Sequence, residues 1–274
     1  MPRFTSSDGI SLHFTDEGTG APLLCLSGLT RNGRDFDFLA PHIGDRVRLI
    51  RLDYRGRGQS DHADPATYDV PTEARDALEL LDHLGLAKAA ILGTSRGGMI
   101  AMTLAALAHD RLIGVALNDV GPEIDPKGLE SIYDYIGRNP SHKTHDALLA
   151  VWPDVVRGFA NVPPNRYRQE VMRLYTETPE GLKITYDPAL RTPVLATRGA
   201  PLPDLWPLFD ALAGLPLCAL RGENSDILMP STFEEMQRRR PDMIAATIPD
   251  RGHIPYLDEA ASLAALTQWL DQLT

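Results

Sequence analysis

The chain has 274 residues, a length that predicts one core with an insertion. Of these residues 43% are hydrophobic and 23% charged, and this composition predicts a globular protein rather than a disordered chain. The formal net charge of −10 argues against binding to nucleic acid or to an anionic membrane, because both need clustered Lys and Arg. No signal-peptide h-region and no run of about 18 apolar residues is present, so a cytoplasmic protein is expected.

Strands and helices alternate along the first part of the chain. Apolar or alternating stretches predict strands at 9–15, 23–28, 47–53, 89–92 and 112–119. Between them, the spacing of Ala74, Leu78, Leu81 and Leu84 predicts one helix, and the small residues up to about position 109 predict another. Strands separated by helices of roughly 10 to 15 residues are typical of a parallel sheet, so the predicted class is α/β.

The alternation stops between Val120 and Arg191. This segment contains short amphipathic stretches separated by Asn-Pro and Pro-Pro signals, which indicates a helical insertion. Beyond it, strands are predicted at 216–222 and 243–249, each followed by a helix. The predicted organisation is therefore a core formed by 1–119 and 192–274, with a helical lid at 120–191.

The stretch Gly93-Thr94-Ser95-Arg96-Gly97 places a serine between two glycines, after a strand and before a helix. Glycine at the flanking positions permits a sharp strand-to-helix turn in which larger side chains would collide. Such a turn exposes the serine Oγ at the sheet edge, beside a helix N-terminus that stabilises negative charge. A glycine-rich helix start with a capping serine is the structural alternative, but the strand-turn-helix context favours Ser95 as a nucleophile.

His253 has the best setting for the base that a serine nucleophile needs. It follows a predicted strand and a tight turn, and it precedes the last predicted helix. The loops that follow parallel strands meet at one edge of the sheet, so His253 is expected beside Ser95. His62, near the glycine-rich stretch 54–61, is the weaker second candidate.

The histidine also needs a carboxylate that fixes its tautomer and stabilises the imidazolium. Asp226 follows one predicted strand, and Asp119 ends another. Glu223 and Asp250 are less well placed. Because Asp226 and Asp119 both lie at or after the end of a predicted strand, either of them could be the orienting acid.

The whole chain resembles the lid-bearing α/β-hydrolases, the group that includes small esterases and enol-lactonases. Five segments carry this resemblance, in the family's order: LCLSGLTRNGRDF, LDYRGRGQSD, LGTSRGGMIA, LRGENSDIL and DRGHIPYLDE. The resemblance implies an eight-stranded, mostly parallel sheet flanked by helices, with a helical lid after strand six. It also implies Ser95 as nucleophile, His253 as general base and acid, and Asp226 as the orienting carboxylate, with no metal or organic cofactor.

The family's oxyanion hole is built from two backbone N–H groups, which correspond here to Leu29 and Arg96. The loop that carries Leu29 usually begins with His-Gly in the family, and this chain has Ser27-Gly28 instead. A backbone donor is still possible with this change, although the support of the loop must differ. The glycine-rich stretch 54–61 lacks a third glycine and a following helix, so it is interpreted as a structural turn beside the pocket rather than a dinucleotide site.

A Ser-His-Asp triad would perform acyl transfer through a covalent acyl-enzyme. The leading hypothesis is a monomeric or homodimeric enzyme that hydrolyses a small-molecule carboxylic ester or lactone. Thioesters, amides and C–C bonds stay open as substrates, and the alternatives are a slow-turnover ligand-binding protein, a cofactor-free lyase and a perhydrolase. In the lid, Trp152 and Tyr133 are candidate pocket residues, although such aromatic residues are more often the packed faces of ordinary helices.

Overall fold

A computed structural model describes residues 2–273, in which ten strands form two sheets. Eight strands form the central sheet in the order β1-β2-β4-β3-β5-β6-β9-β10, and the other two form a small separate sheet, β7-β8. The strands are β1 (Arg3–Thr5), β2 (Ser11–Glu17), β3 (Ala21–Leu26), β4 (Val47–Leu52), β5 (Ala89–Thr94), β6 (Leu112–Asn118), β7 (Tyr175–Thr178), β8 (Gly181–Ile184), β9 (Leu217–Gly222) and β10 (Ile244–Ile248).

The central sheet is antiparallel only at one end. Strand β2 pairs antiparallel with β1 and β4, whereas the five pairs from β4-β3 through to β9-β10 are all parallel. The predicted α/β class and the eight-stranded, mostly parallel sheet are therefore confirmed. Because β3, β4, β5, β6, β9 and β10 run in the same direction, the loops after these six strands lie along one edge of the central sheet.

Helices connect most of the parallel strands. The side chain of Asp69 caps the second helix by accepting a hydrogen bond from the backbone N–H of Thr72. None of the helices in residues 2–273 combines the length and the hydropathy needed to cross a membrane. The helices are α1 (Ala40–Ile43), α2 (Val70–His83), α3 (Arg96–Leu107), α4 (Pro126–Tyr135), α5 (His145–Leu149), α6 (Trp152–Val155), α7 (Arg166–Leu174), α8 (Arg191–Ala196), α9 (Trp206–Asp210), α10 (Pro230–Arg239) and α11 (Ala260–Leu270).

Both faces of the central sheet are buried under helices. Strand β3 shows the alternation: Leu24 and Leu26 belong to one apolar cluster, and Leu23 and Cys25 belong to the other. The first cluster includes side chains of α2, α3, α9 and α10, and the second includes side chains of α1 and α11. This three-layer packing fixes the ends of the strands, from which the loops of the candidate site extend.

The chain between β6 and β9 forms α4 to α9 and the small sheet β7-β8. This insertion is less helical than predicted, because α7 ends at Leu174 and two strands follow. Gly181, with φ of 128°, lets the chain reverse after Pro179 and Glu180. The two strands pair with each other, so the central sheet contains no strand from this segment. The boundary predicted after Arg191 falls inside α8.

Candidate active site

Ser95 lies at the sharp turn between β5 and α3. Its φ of 51° and ψ of −115° are unusual for a residue with a side chain, and the neighbouring packing enforces them. A Cβ on Gly93 would lie 2.4 Å from the carbonyl oxygen of Gly97, and a Cβ on Gly97 would lie 2.0 Å from that of Leu26. The two glycines therefore let strand and helix approach closely enough to form this turn.

We expect Gly97→Ala to lower the free energy of unfolding by about 3 kcal/mol, because the new Cβ must displace the backbone of β3. Gly214→Ala is the control, since Gly214 has φ of 81° but no atom within 4 Å of its Cβ position. Its expected cost is about 1 kcal/mol, from left-handed strain alone. Chemical denaturation measures both, and equal losses would contradict the packing explanation.

Three side chains form a continuous hydrogen-bonded series at the edge of the sheet. The Oγ of Ser95 lies 3.0 Å from Nε2 of His253, and Nδ1 of the same ring lies 2.7 Å from Oδ2 of Asp119. Asp119 is fully buried, whereas 18% of the His253 side chain is exposed. In the tautomer in which Nδ1 donates to the buried carboxylate, Nε2 is the acceptor that faces the Oγ of Ser95.

Asp119 is held from three sides by the end of β9 and the loop that follows. Its backbone N–H donates to the carbonyl oxygen of Leu220 at 2.8 Å. The Gly222 N–H donates to Oδ1 and the Ser225 hydroxyl donates to Oδ2, both at 2.7 Å. These donors hold the carboxylate in one orientation, in which Oδ2 faces His253.

This geometry corrects the prediction that Asp226 is the acid that orients His253. Asp226 is exposed and lines the cavity above Ser95, while the alternative carboxylate, Asp119, contacts His253. The physical reason is the strand order: β6 is the direct neighbour of β5, so the residue after β6 ends close to Ser95, and β9 lies one strand further away. The loop after β9 supplies the hydroxyl of Ser225 instead.

The weaker histidine candidate, His62, does not enter the site. Two-thirds of its side chain is exposed, and Nδ1 lies 3.4 Å from Asp187. Asn118, by contrast, was missed by the sequence analysis. Its Nδ2 donates to Thr94 Oγ1 at 3.2 Å and to the carbonyl oxygen of Pro255 at 3.1 Å, so it ties the histidine loop to the strand that ends in Ser95. No motif in the sequence indicates this role.

The two backbone donors suggested by the resemblance lie on the loop after β3 and at the first residue of α3. Among residues 2–273, neither the N–H of Leu29 nor that of Arg96 donates a hydrogen bond to the protein. Leu29 and Ser95 line the same cavity. Neither amide is therefore paired with an acceptor of the protein within the described range.

A cavity of about 640 Å³ opens above Ser95 and His253. Its walls come from the loop after β3, the loops after β9 and β10, and the insertion. Trp152 lines this cavity, as predicted. Tyr133 does not: it is buried within the insertion, where its hydroxyl lies 3.2 Å from Thr197 Oγ1. Tyr135, two residues along α4, faces the cavity instead.

Charged groups line the same cavity. Arg31 lies 3.2 Å from Asp35 and 3.6 Å from Glu170. Burial opposes the charge on Arg31, but the two carboxyl groups outweigh it and raise the pKa of the guanidinium. Burial also raises the pKa of Glu170, against the opposing effect of Arg31. Further out, Arg138 and Arg157 line the cavity with exposed side chains.

Comparisons with known proteins identify similar chains over almost the full length. The model of the alpha/beta hydrolase family matches residues 23–266. The chain is 34% identical to the 3-hydroxybutyrate-oligomer hydrolase of Cupriavidus necator over 257 residues, which cover 90% of this chain and 87% of that protein. It is 26% identical to the 2-(acetamidomethylene)succinate hydrolase of Mesorhizobium japonicum over 266 residues, or 96% and 92% of the two proteins. A crystal structure of an alpha/beta hydrolase from Novosphingobium aromaticivorans superimposes with a TM-score of 0.88 and 40% identity, covering 99% of this chain and 97% of that one.

Proposed function

The chain belongs to the alpha/beta hydrolase family, and on that premise we propose that it hydrolyses small-molecule carboxylic esters through an acyl-enzyme on Ser95. The observation that carries this proposal is the series from Ser95 Oγ through the His253 ring to the buried Asp119 carboxylate. A serine hydroxyl is a weak nucleophile until a neighbouring base takes its proton, and this series supplies such a base.

In the first half-reaction, the Oγ of Ser95 attacks the ester carbonyl carbon while Nε2 of His253 takes the hydroxyl proton. Asp119 stabilises the imidazolium that forms. The carbonyl oxygen becomes an oxyanion, which the N–H groups of Leu29 and Arg96 stabilise, each donor being worth roughly 3 kcal/mol in comparable sites. The imidazolium then protonates the leaving alcohol, and the acyl group stays on Ser95.

In the second half-reaction, water takes the place of the alcohol. His253 removes a proton from the water molecule, whose oxygen attacks the acyl carbon, and the same two N–H groups stabilise the second oxyanion. Collapse of this intermediate releases the carboxylic acid and returns the proton to Ser95. Each step uses side chains and backbone groups of the chain itself.

The cavity supports a small-molecule ester or lactone as the substrate. A volume of about 640 Å³ is in the range of pockets that enclose small ligands. Trp152 and Tyr135 supply aromatic surface for an acyl or alkoxy group. The similar protein of Cupriavidus necator acts on 3-hydroxybutyrate oligomers, which adds support for an ester of a hydroxy acid as one member of the substrate class.

Covalent labelling tests the proposal directly. A fluorophosphonate probe is expected to modify the wild-type protein on the peptide that contains Ser95, and the same preparation is expected to hydrolyse some members of a panel of p-nitrophenyl esters and lactones of graded acyl length. His62→Ala is the control and is expected to label and turn over normally, because His62 lies outside the site. Absence of both labelling and turnover in the wild type would contradict the proposal and favour a ligand-binding protein.

A further inference from the structure

The loop that carries the first amide donor is held from behind by side chains of the loop after β4. The hydroxyl of Tyr54 donates to the carbonyl oxygen of Ser27 at 3.1 Å, and Nε of Arg57 donates to that of Leu29 at 3.0 Å. These bonds fix the peptide groups immediately before and after the one whose N–H is the donor. Tyr54 and Arg57 therefore support a loop that begins with Ser27 rather than with the family's usual histidine.

The second amide donor is held through the side chain of its own residue. Nη2 of Arg96 donates to the carbonyl oxygen of Tyr68 at 2.9 Å, and Nε donates to Oε2 of Glu73 at 2.5 Å. The other oxygen of the same carboxylate, Oε1, lies 2.9 Å from Nη1 of Arg57, an ion-pair contact without hydrogen-bond geometry, since Nη1 donates to the carbonyl oxygen of Arg55. Glu73 thus contacts both of the arginines that hold the two donor segments.

The contact between Glu73 and the two arginines is shielded from solvent. The Glu73 side chain is fully buried, and the Arg57 side chain is 1% exposed, so water does not screen the ion pair. Glu73 lies in the first turn of α2, where the helix dipole also stabilises a negative charge. Removal of a carboxylate that is paired with two guanidinium groups in a region of low dielectric leaves buried charge without a partner.

We propose that Glu73 is a positioning residue that sets the separation of the two oxyanion donors, Leu29 and Arg96, by binding Arg57 with one carboxylate oxygen and Arg96 with the other. This inference rests on the proposed serine hydrolase activity. Oxyanion stabilisation depends on donors placed about 2.7 to 3.1 Å from the developing charge. A small change in the separation of the donors therefore reduces their stabilisation of the transition state more than their binding of the ester substrate.

The test compares Glu73→Gln with Asp76→Asn. Asp76 is the matched control, because it lies on the same helix, is also fully buried and binds Arg55 of the same loop, but contacts neither donor segment. Arg55 keeps its hydrogen bonds to Asp8 when Asp76 is changed. We expect both variants to lose stability, but only Glu73→Gln to lose kcat, by about 10- to 100-fold with KM within about threefold of the wild type.

A second measurement reports on the oxyanion site without turnover. An alkyl boronic acid forms a tetrahedral anion on an activated serine, so its Kd is expected to rise in Glu73→Gln by the same factor by which kcat/KM falls. If Glu73→Gln does not fold, Arg96→Met is the substitute variant. It removes the contact between Arg96 and Glu73 and leaves the ion pair between Arg57 and Glu73 in place. Its expected loss of kcat is about tenfold.

The outcomes separate this inference from the proposed function. A loss of kcat and boronic acid affinity in Glu73→Gln or Arg96→Met, without a comparable loss in Asp76→Asn, supports the positioning role. Equal kcat and Kd changes in all three variants would show that Glu73 acts only through stability and would overturn it. A wild-type protein that neither hydrolyses esters nor labels on Ser95 would contradict the proposed function and the positioning role together.

Discussion

Ser95→Ala is expected to remove ester hydrolysis, with a fall in kcat/KM of at least about 10⁴-fold and no labelling by a fluorophosphonate probe. The substitution deletes the atom that would form the acyl-enzyme, and neither the oxyanion donors nor His253 can replace it. Residual hydrolysis above the rate in water is expected from the remaining groups.

The fold of this variant should be unaffected. Ser95 gives no side-chain cap to α3, and within residues 2–273 its Oγ has one hydrogen-bond partner, His253. The free energy of unfolding is therefore expected to stay within about 1 kcal/mol of the wild type. Turnover within tenfold of the wild type by a folded Ser95→Ala protein would exclude Ser95 as the nucleophile.

Asp119→Asn is expected to cost up to about 10⁴-fold in kcat, as in a comparable triad. The Gly222 N–H needs an acceptor, so the amide oxygen of the new side chain will face Gly222, and its NH₂ group will face His253. An N–H donor at that position requires Nδ1 of the ring to be unprotonated. The ring proton then lies on Nε2, which can no longer accept a proton from Ser95.

Asp226→Asn is the matched comparison for this prediction. It makes the same chemical change at an exposed carboxylate that lines the cavity above Ser95. Its expected effect on kcat is less than about tenfold, because Asp226 does not contact His253. Both variants are measured on one ester, with thermal melts to check folding. A large loss in Asp226→Asn and a small one in Asp119→Asn would return the orienting role to Asp226.

The α/β class, the sheet and the turn at Ser95 were predictable because they depend on local patterns: apolar runs, helical spacing and glycines at fixed positions. The partner of His253 depends on strand order, which is a long-range property. Asp119 and Asp226 both follow strands, and only the neighbour relation of β5 and β6 brings the first of them to the histidine. The resemblance implied a mostly parallel sheet without its strand order, and it implied Asp226, which does not contact His253.

The insertion was harder to predict than the core, because its elements are short and pack through few residues. Tyr133 and Tyr135 lie on the same helix two residues apart, so they point in different directions, and the sequence does not reveal which side faces the cavity. The sheet β7-β8 had a local signal in the turn residues Pro179 to Gly181 that follow Tyr175–Thr178, but the helical pattern that ends at Leu174 obscured it.

The anchoring of Asp119 also determines where the insertion can pivot. The insertion begins at the next residue, so a movement of the whole segment would pull on the acid if nothing held it. Hydrogen bonds to Leu220, Gly222 and Ser225 fix Asp119 to β9 and its loop, and Val120 is buried against α3. Any hinge on this side therefore lies beyond Val120, so a movement of the segment above it would leave the contact between Asp119 and His253 intact.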